Sequence, residues 1–266
     1  MKHPRSERFS VFSMAFFLSA LFSLLMQGCA TGKEGSKAMS RTDRARIFVE
    51  IANGALVEGD PTAALQAIAR AESEDAQLPE LHHTRALAYY TKKELELAMQ
   101  SGLKAVQLKP DYSDAKNTLG KIYLDLGKWD LALPVLSEAA TDNLYRDAYK
   151  AWTNLGILTY RKNDYSLSSQ YFSKAVQNAP SQSCIAHYYL GHISMKEARL
   201  QDAIREYSLS TKKFCGSFGD GLLALGVAYQ KNKQYSEARK TFIEVQKRFP
   251  KTGWAEKALD HLKFLP

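Results

Sequence analysis

The chain has 266 residues, 45% of them hydrophobic and 24% charged, and this composition excludes a disordered, collagen-like or low-complexity protein. Three cysteines exclude a disulfide-dense small fold and a four-cysteine zinc site. The formal net charge of +8 is modest enough for an ordinary protein surface, and we expect no nucleic-acid partner.

A basic segment and an apolar segment open the chain. Lys2, Arg5 and Arg8 lie within residues 1–8, and only serines interrupt the apolar residues 9–26. A basic region, an apolar region and a small residue before the cut predict a signal peptide over residues 1–28. A single membrane-spanning helix stays an alternative, because about 18 apolar residues are at the short end of what a span needs.

The apolar segment ends in Leu25-Met26-Gln27-Gly28-Cys29, which resembles the lipobox of bacterial lipoproteins. The resemblance implies cleavage before Cys29, a diacylglycerol on its sulfur and an acyl chain such as palmitate on the new amine. Several acyl chains on one residue anchor a protein stably, whereas a single chain binds only marginally. By the same resemblance, Ala30 implies the periplasmic face of the outer membrane, because an aspartate there favours the inner membrane. Secretion without a lipid is the other alternative.

Small, polar and charged residues follow the apolar segment. They dominate the stretch from Thr31 to Asp43. A composition of this kind is typical of a flexible linker. We therefore interpret residues 29–43 as a lipidated N-terminus with a flexible tether.

A repeat dominates the rest of the chain. Leu-Gly pairs occur at positions 119–120, 155–156, 190–191 and 225–226, spaced by 36, 35 and 35 residues. In the unit that contains Leu119, an aromatic, a polar turn, a small residue and a second large residue follow as Tyr123, Gly127, Ala132 and Leu136. Apolar residues at helical spacing predict two amphipathic helices in each unit. This outline resembles the tetratricopeptide repeat, which implies an all-α superhelical solenoid.

Two similar units precede these four, so that we expect six repeats over residues 44–250. Their predicted starts lie near residues 45, 79, 113, 149, 184 and 219. A lone unit cannot bury its outer apolar face, so the units must stack on one another. Residues 251–266 are predicted to form a capping helix that covers the open end of the stack.

Stacked helix pairs leave a concave groove lined by the first helix of each pair, and we expect an extended peptide or a partner helix to bind there. We expect Leu87, Tyr90 and Leu124 to be exposed in this groove, with Tyr90 as the energetic centre. Two alternatives stay open: Tyr90 packed between units, and His192 as an ordinary surface residue. The predicted groove residues mix apolar and polar side chains: Asn53, Leu87, Tyr90, Asn117, Lys121, Leu124, Ile157, Tyr160, Tyr188 and His192.

Two cysteines are predicted to meet in the fifth unit. Cys184 lies at the start of its first helix, and Cys215 lies just beyond the end of its second. Antiparallel helices bring these ends together, and an exported protein meets an oxidising compartment, so we expect a disulfide. In the chain-entropy model it stabilises the protein by about 3–4 kcal/mol. Two unpaired buried thiols are the alternative.

Signatures of catalysis and of metal binding are absent from the sequence. It has no Gly-rich phosphate loop, no His-Glu-x-x-His, no Cys-x-x-Cys and no nucleophile elbow. His82 and His83 are adjacent, so on a helix they point about 100° apart and are expected to be structural. We therefore expect no enzymatic activity, no cofactor and no metal.

The combined architecture resembles the type IV pilus biogenesis and stability lipoproteins, the pilotins of the pilus secretin. The stretch Glu138-Ala139-Ala140-x-Asp142-Asn143-Leu144-Tyr145 with the later Asn154-Leu155-Gly156 resembles the enlarged junction between the third and fourth units of that family. The resemblance implies a scaffold that escorts secretin subunits to the outer membrane and promotes their multimerisation. We expect a monomer. The alternative is a tetratricopeptide lipoprotein that serves outer-membrane protein assembly or peptidoglycan enzymes, for example as a regulator of a peptidoglycan hydrolase.

Overall fold

The computed structural model describes residues 38–266, so the predicted signal peptide, Cys29 and the tether up to residue 37 lie outside the described residues. The described part is helical throughout and contains no strand, which confirms the all-α prediction. A 3-10 helix, Lys213–Cys215, lies between the α-helices Leu200–Leu209 and Gly219–Lys231. The thirteen α-helices are α1 (Arg41–Val57), α2 (Pro61–Glu74), α3 (Pro79–Thr91), α4 (Leu95–Leu108), α5 (Ser113–Asp125), α6 (Trp129–Thr141), α7 (Ala148–Arg161), α8 (Tyr165–Asn178), α9 (Cys184–Lys196), α10 (Leu200–Leu209), α11 (Gly219–Lys231), α12 (Tyr235–Arg248) and α13 (Gly253–Lys263).

The turns inside the six helix pairs share one backbone conformation. Each contains one residue in the left-handed region of φ, which ends the first helix and reverses the chain. In the first pair this residue is Gly59 (φ 80°), and Asp60 then caps α2 by accepting hydrogen bonds from the amides of Thr62 and Ala63. The corresponding residues in the other pairs are Lys93, Gly127, Asn163, Ala198 and Lys233.

The two helices of a pair approach each other at a glycine. A Cβ atom on Gly156 would lie 2.5 Å from the Phe172 ring, and one on Gly191 would lie 2.6 Å from the Tyr207 ring. Only a residue without a side chain allows such an approach, which explains the recurring Leu-Gly pairs of the sequence. Gly120 with Leu136 and Gly226 with Phe242 repeat the arrangement.

Successive pairs stack asymmetrically, and this creates the concave side of the array. The first helices α1, α3, α5, α7 and α9 each contact the next first helix in the series, whereas the second helices, beyond their own pair, pack mainly on the following first helix. Elements that stay in mutual contact lie on the inside of a curve. The groove side is therefore built from the first helices, as in other stacked-repeat folds.

The last helix covers the sixth pair. Ala258 on α13 is fully buried, and the His261 ring stacks on Phe242 with centroids 4.9 Å apart. The indole nitrogen of Trp254 donates a 2.9 Å hydrogen bond to Asp220 on α11. Helix α13 therefore removes an apolar face of α11 and α12 from water.

The boundary expected for the tether is wrong at its C-terminal end. Residues 41–43 were assigned to the tether, but α1 already begins at Arg41. The guanidinium of Arg41 donates to the carbonyl of Ser73 at 2.6 Å, and the Thr42 hydroxyl donates to Asp75 at 2.8 Å. These bonds to the end of α2 extend α1 by about one turn beyond what apolar periodicity reveals.

No helix within residues 38–266 combines the length and the apolar character that crossing a membrane requires.

Candidate partner-binding groove

Polar side chains connect neighbouring first helices across the groove. The Asn154 amide donates to Asn117 at 2.9 Å, which joins α7 to α5. The Thr84 hydroxyl donates to Asn53 at 3.0 Å, which joins α3 to α1. Asn53 and Asn117, both predicted groove residues, therefore also fix the spacing between units.

Tyr90 belongs to this set of connections. Its hydroxyl donates to Asp125 at 2.6 Å, and the guanidinium of Arg161 donates to Asp125 at 3.2 Å and to the Leu124 carbonyl at 2.7 Å. Burial, together with the Asp125 carboxylate, raises the pKa of Tyr90. The half-buried Tyr90 thus links α3 to α5, and this geometry favours the alternative in which it is packed between units.

The expectation that Leu124 is exposed is wrong. Its side chain is only 3% exposed and packs in one cluster with Leu155 and Leu158 of the next first helix. The groove-facing row of α5 contains Asn117 and Lys121, and Leu124 lies beside that row, where α7 covers it. Leu87 is half-buried on α3.

The predicted residues of the fourth and fifth units gather in an aromatic cluster. The ring centroid of Tyr188 lies 4.4 Å from that of His192, and the Tyr160 centroid lies 5.0 Å from that of Tyr189. Burial lowers the pKa of His192, and the charge of Lys196 adds to this effect. Burial also raises the pKa of Tyr188 to about 12. Both side chains are therefore uncharged parts of the groove wall near neutral pH.

A cavity of about 500 Å³ opens in the groove beside this cluster. Such a volume lies within the range of ordinary ligand pockets. It brings together three predicted groove residues, Asn117, Lys121 and Ile157. We call it the Lys121 pocket; its lining consists of Asn117, Lys121, Tyr149, Lys150, Thr153, Asn154, Ile157, Gln182, Ser183, Cys184, Ile185, Phe214, Cys215, Ser217 and Phe218.

Sequence reasoning missed the outer wall of the Lys121 pocket. Helix α10 has 10 residues, whereas the other second helices have 13 or 14, and residues 210–218 form a loop with a short 3-10 helix instead. Phe214 in this loop is 75% exposed. The Leu-Gly spacing of 35 residues from the fifth to the sixth unit equals the preceding one, so the repeat period gave no signal of this loop.

A disulfide attaches this loop to the start of α9. The structure joins Cys184 to Cys215, with their Cα atoms 5.4 Å apart. The Cys215 end is buried, and the guanidinium of Arg248 donates to the Gly216 carbonyl from the other side. The loop is thus held at both flanks, so that Phe214 and Phe218 have a fixed place at the pocket.

The junction between the third and fourth pairs is held by Asp142. Its carboxylate accepts hydrogen bonds from the Ser113 hydroxyl and, at 2.9 Å, from the Leu144 amide, and these bonds lower its pKa. Leu144 at the tip of the junction is 91% exposed. The stretch singled out in the sequence is therefore a fixed surface turn that presents one apolar side chain.

The histidines of α3 make structural contacts. His82 contacts the Ala76 carbonyl at 2.9 Å, and His83 contacts the hydroxyls of Tyr112 and Thr118 at 3.1 and 2.9 Å. Within residues 38–266, no cluster of His, Cys, Asp or Glu has the arrangement of a metal site.

Comparison with known families identifies the repeat itself. A tetratricopeptide repeat model matches residues 49–113 and 117–183, and a second model with the same description matches residues 220–252. Together these matches span more than half of the chain.

Two relatives are similar over most of their lengths. The type IV pilus assembly protein PilF of Pseudomonas aeruginosa is 23% identical over 194 residues, which cover 71% of this chain and 76% of PilF. The solved structure of PilF superposes with a TM-score of 0.68 at 18% identity and covers 83% of this chain and 99% of that one. The crystal structure of PilW, described as a widely conserved type IV pilus biogenesis factor, gives a TM-score of 0.68 at 21% identity and covers 81% and 98%. At these identities the structural likeness establishes the fold.

Proposed function

The chain belongs to the tetratricopeptide repeat family, and from this premise we propose that it is a non-catalytic protein-binding scaffold in type IV pilus biogenesis. Repeats of this kind present an extended concave surface to a partner. The groove formed by α3, α5, α7 and α9 supplies such a surface, and its side chains contribute hydrogen bonds, lysine charge and aromatic area.

The single observation that carries the pilus assignment is the match to PilF. It runs through most of both chains, in sequence and in fold, and the structure named as the pilus biogenesis factor PilW shares the same fold over nearly its whole length. The proposed partner is the pilus secretin, whose subunits the protein delivers and whose multimerisation it promotes.

The proposed location is the periplasmic face of the outer membrane, with Cys29 as the lipid attachment site. The lipobox-like Leu25-Met26-Gln27-Gly28-Cys29 and the following Ala30 support this proposal. Eleven residues lie between Cys29 and the start of α1 at Arg41. A chain of eleven residues spans at most about 35–40 Å, which limits the proposed distance from the lipid to α1.

Affinity capture tests the proposal. The tagged, full-length protein is purified from detergent-solubilised membranes of its own organism, and the secretin is sought in the eluate by immunoblotting. We expect secretin subunits to be captured by the wild-type protein and not by an unrelated tagged lipoprotein. Absence of the secretin, together with capture of a peptidoglycan enzyme or an outer-membrane assembly factor, would instead support an adaptor role.

A further inference from the structure

The charged side chains that line the Lys121 pocket are all positive. Its fifteen lining residues include Lys121 and Lys150 and no carboxylate. Lys150 is already paired with Asp147, which adjoins the start of α7. Lys121 therefore supplies the positive charge that no neighbouring carboxylate neutralises directly within the described residues.

The surroundings of Lys121 explain why it forms no ion pair among the described residues. Asp125 lies one turn along the same helix, but its carboxylate is taken by Tyr90 and Arg161, at 2.6 and 3.2 Å. The Lys121 ammonium instead lies 4.6 Å from the centre of the Tyr90 ring. Burial lowers the pKa of Lys121 more than the Asp125 charge raises it, so that an additional carboxylate beside it would be favourable.

The opposite side of the pocket is apolar. Ile157 lies on α7, Ile185 lies in the first turn of α9, and Phe214 and Phe218 belong to the disulfide-held loop. The Phe218 ring also contacts Tyr188 with centroids 5.2 Å apart, which joins this wall to the aromatic cluster. Exposed aromatic and aliphatic side chains at a preformed concave site are typical of protein-binding surfaces.

We propose that the Lys121 pocket binds an extended peptide segment of a partner protein, in which one carboxylate pairs with Lys121 and a neighbouring apolar side chain packs against Phe214 and Ile185. Asn117, Asn154 and Gln182 also line the pocket, and their side-chain amides can hydrogen-bond a peptide backbone. The inference rests on the proposed function only in taking the groove as protein-binding; it does not depend on which protein the partner is.

The disulfide has a specific part in this site. Because Cys215 ends the 3-10 helix that carries Phe214, the bond to Cys184 fixes the distance between the apolar wall and α9. Preorganisation of this kind strengthens binding by lowering the ordering cost. Reduction of the disulfide is therefore expected to weaken peptide binding without unfolding the six helix pairs.

A phage-displayed library of random 12-residue peptides tests the proposal independently of any secretin. The library is selected on the purified full-length protein in detergent. Selected sequences are expected to place Asp or Glu within three positions of Phe, Tyr, Trp, Leu or Ile. The best peptide is then synthesised, and its Kd is measured by fluorescence anisotropy.

Matched variants locate the site. Lys121→Glu is expected to raise the Kd of the peptide by about tenfold or more, and Phe214→Ala is expected to raise it by about fivefold. Lys240→Glu and Phe264→Ala serve as controls, because Lys240 and Phe264 are exposed and lie outside the pocket lining. Reductant is expected to weaken binding to the wild-type protein and to leave the Cys184→Ser, Cys215→Ser double variant unchanged. Circular dichroism of every variant excludes a loss of fold as the cause.

Each contrary result has a defined meaning. A library that yields no binder, selected peptides without an acidic residue, or unchanged affinity in folded Lys121→Glu would overturn the proposed pocket. Retention of secretin capture by the same variant would leave the proposed function intact. Peptide binding at the pocket in a protein that captures no secretin would have the opposite meaning: the pocket would stand and the secretin assignment would fall.

Discussion

The Tyr90 hydroxyl donates a 2.6 Å hydrogen bond to Asp125 and thereby joins the first helices of the second and third units. This contact changes the interpretation of the groove. The residue expected to be the energetic centre of partner binding already has a partner inside the protein. The remaining open polar and apolar groups lie further along the array, around Lys121 and Phe214.

Replacement of Tyr90 tests its structural role. Tyr90→Phe removes the hydroxyl and leaves the ring in place, so the free energy of unfolding is expected to fall by about 1 kcal/mol, the value of a typical hydrogen bond. Chemical denaturation followed by circular dichroism measures the change. Tyr235→Phe is the control, because Tyr235 is exposed, and it should leave stability unchanged. Equal stability of Tyr90→Phe and wild type would show that the bond to Asp125 contributes nothing.

Two glycine substitutions are expected to have opposite effects on the stability of the protein. Gly191→Ala places a methyl group where the Tyr207 ring lies 2.6 Å away, so it should destabilise the protein by about 1–3 kcal/mol. Gly54→Ala on α1 meets nothing within 4 Å and should stabilise by up to about 1 kcal/mol, because alanine is the better helix former. Thermal unfolding of both variants beside wild type provides the measurement. A stabilising Gly191→Ala would contradict the close helix approach.

The stability of the protein should depend on pH through His83. Burial lowers the pKa of His83 below its ordinary value of 6.5. As the pH falls through about 6.5, His83 takes up a proton in the unfolded chain but stays neutral in the folded protein. The free energy of unfolding therefore decreases with falling pH until the pH reaches the lower pKa that His83 has in the folded state. At pH 5.5 the loss from this group is at most about 1.4 kcal/mol. His83→Gln should flatten this part of the curve, which denaturation at pH 5.5 and 7.5 measures. A stability difference between wild type and variant that is the same at both pH values would contradict the effect.

Fractionation of membranes tests the lipid anchor. Cys29→Ala removes the proposed acylated sulfur, so the protein is expected to be unacylated and to leave the outer-membrane fraction. Cys184→Ser is a matched control, since it removes a cysteine that lies within the repeats and should stay with the membrane. Groove binding should survive in Cys29→Ala, because the helix pairs begin at Arg41 and pack among themselves. Persistence of Cys29→Ala in the outer-membrane fraction would contradict the proposed lipidation.

The helix pairs were predictable from the sequence because the repeat period aligns the corresponding helices of all units. Apolar spacing predicts two amphipathic helices in each unit, and the Leu-Gly pairs mark where these helices approach, as Gly156 does at Phe172. The meeting of Cys184 and Cys215 follows from the antiparallel arrangement of a single pair. Such features depend on neighbours that are close in sequence or repeated along it.

Other features depended on contacts between units and were not predictable in this way. On the helix that contains Leu124, some apolar residues face the groove and others pack on the neighbouring unit. A hydrophobic pattern does not show which residues do which. The left-handed turn residues include Lys93 and Ala198, which carry no glycine signal. The loop with Phe214 departs from the repeat, so periodicity gives it neither a shape nor a place in the site.

The central claim is that the protein promotes assembly of the pilus secretin, and the amount of heat-resistant secretin multimer on a denaturing gel tests it most directly. Membranes are compared from the wild-type strain, a strain without this protein and the same strain complemented with the intact chain. We predict that multimers are lost without the protein while secretin monomers persist, and that complementation restores them. Multimers at the wild-type level in the strain without the protein would contradict the claim.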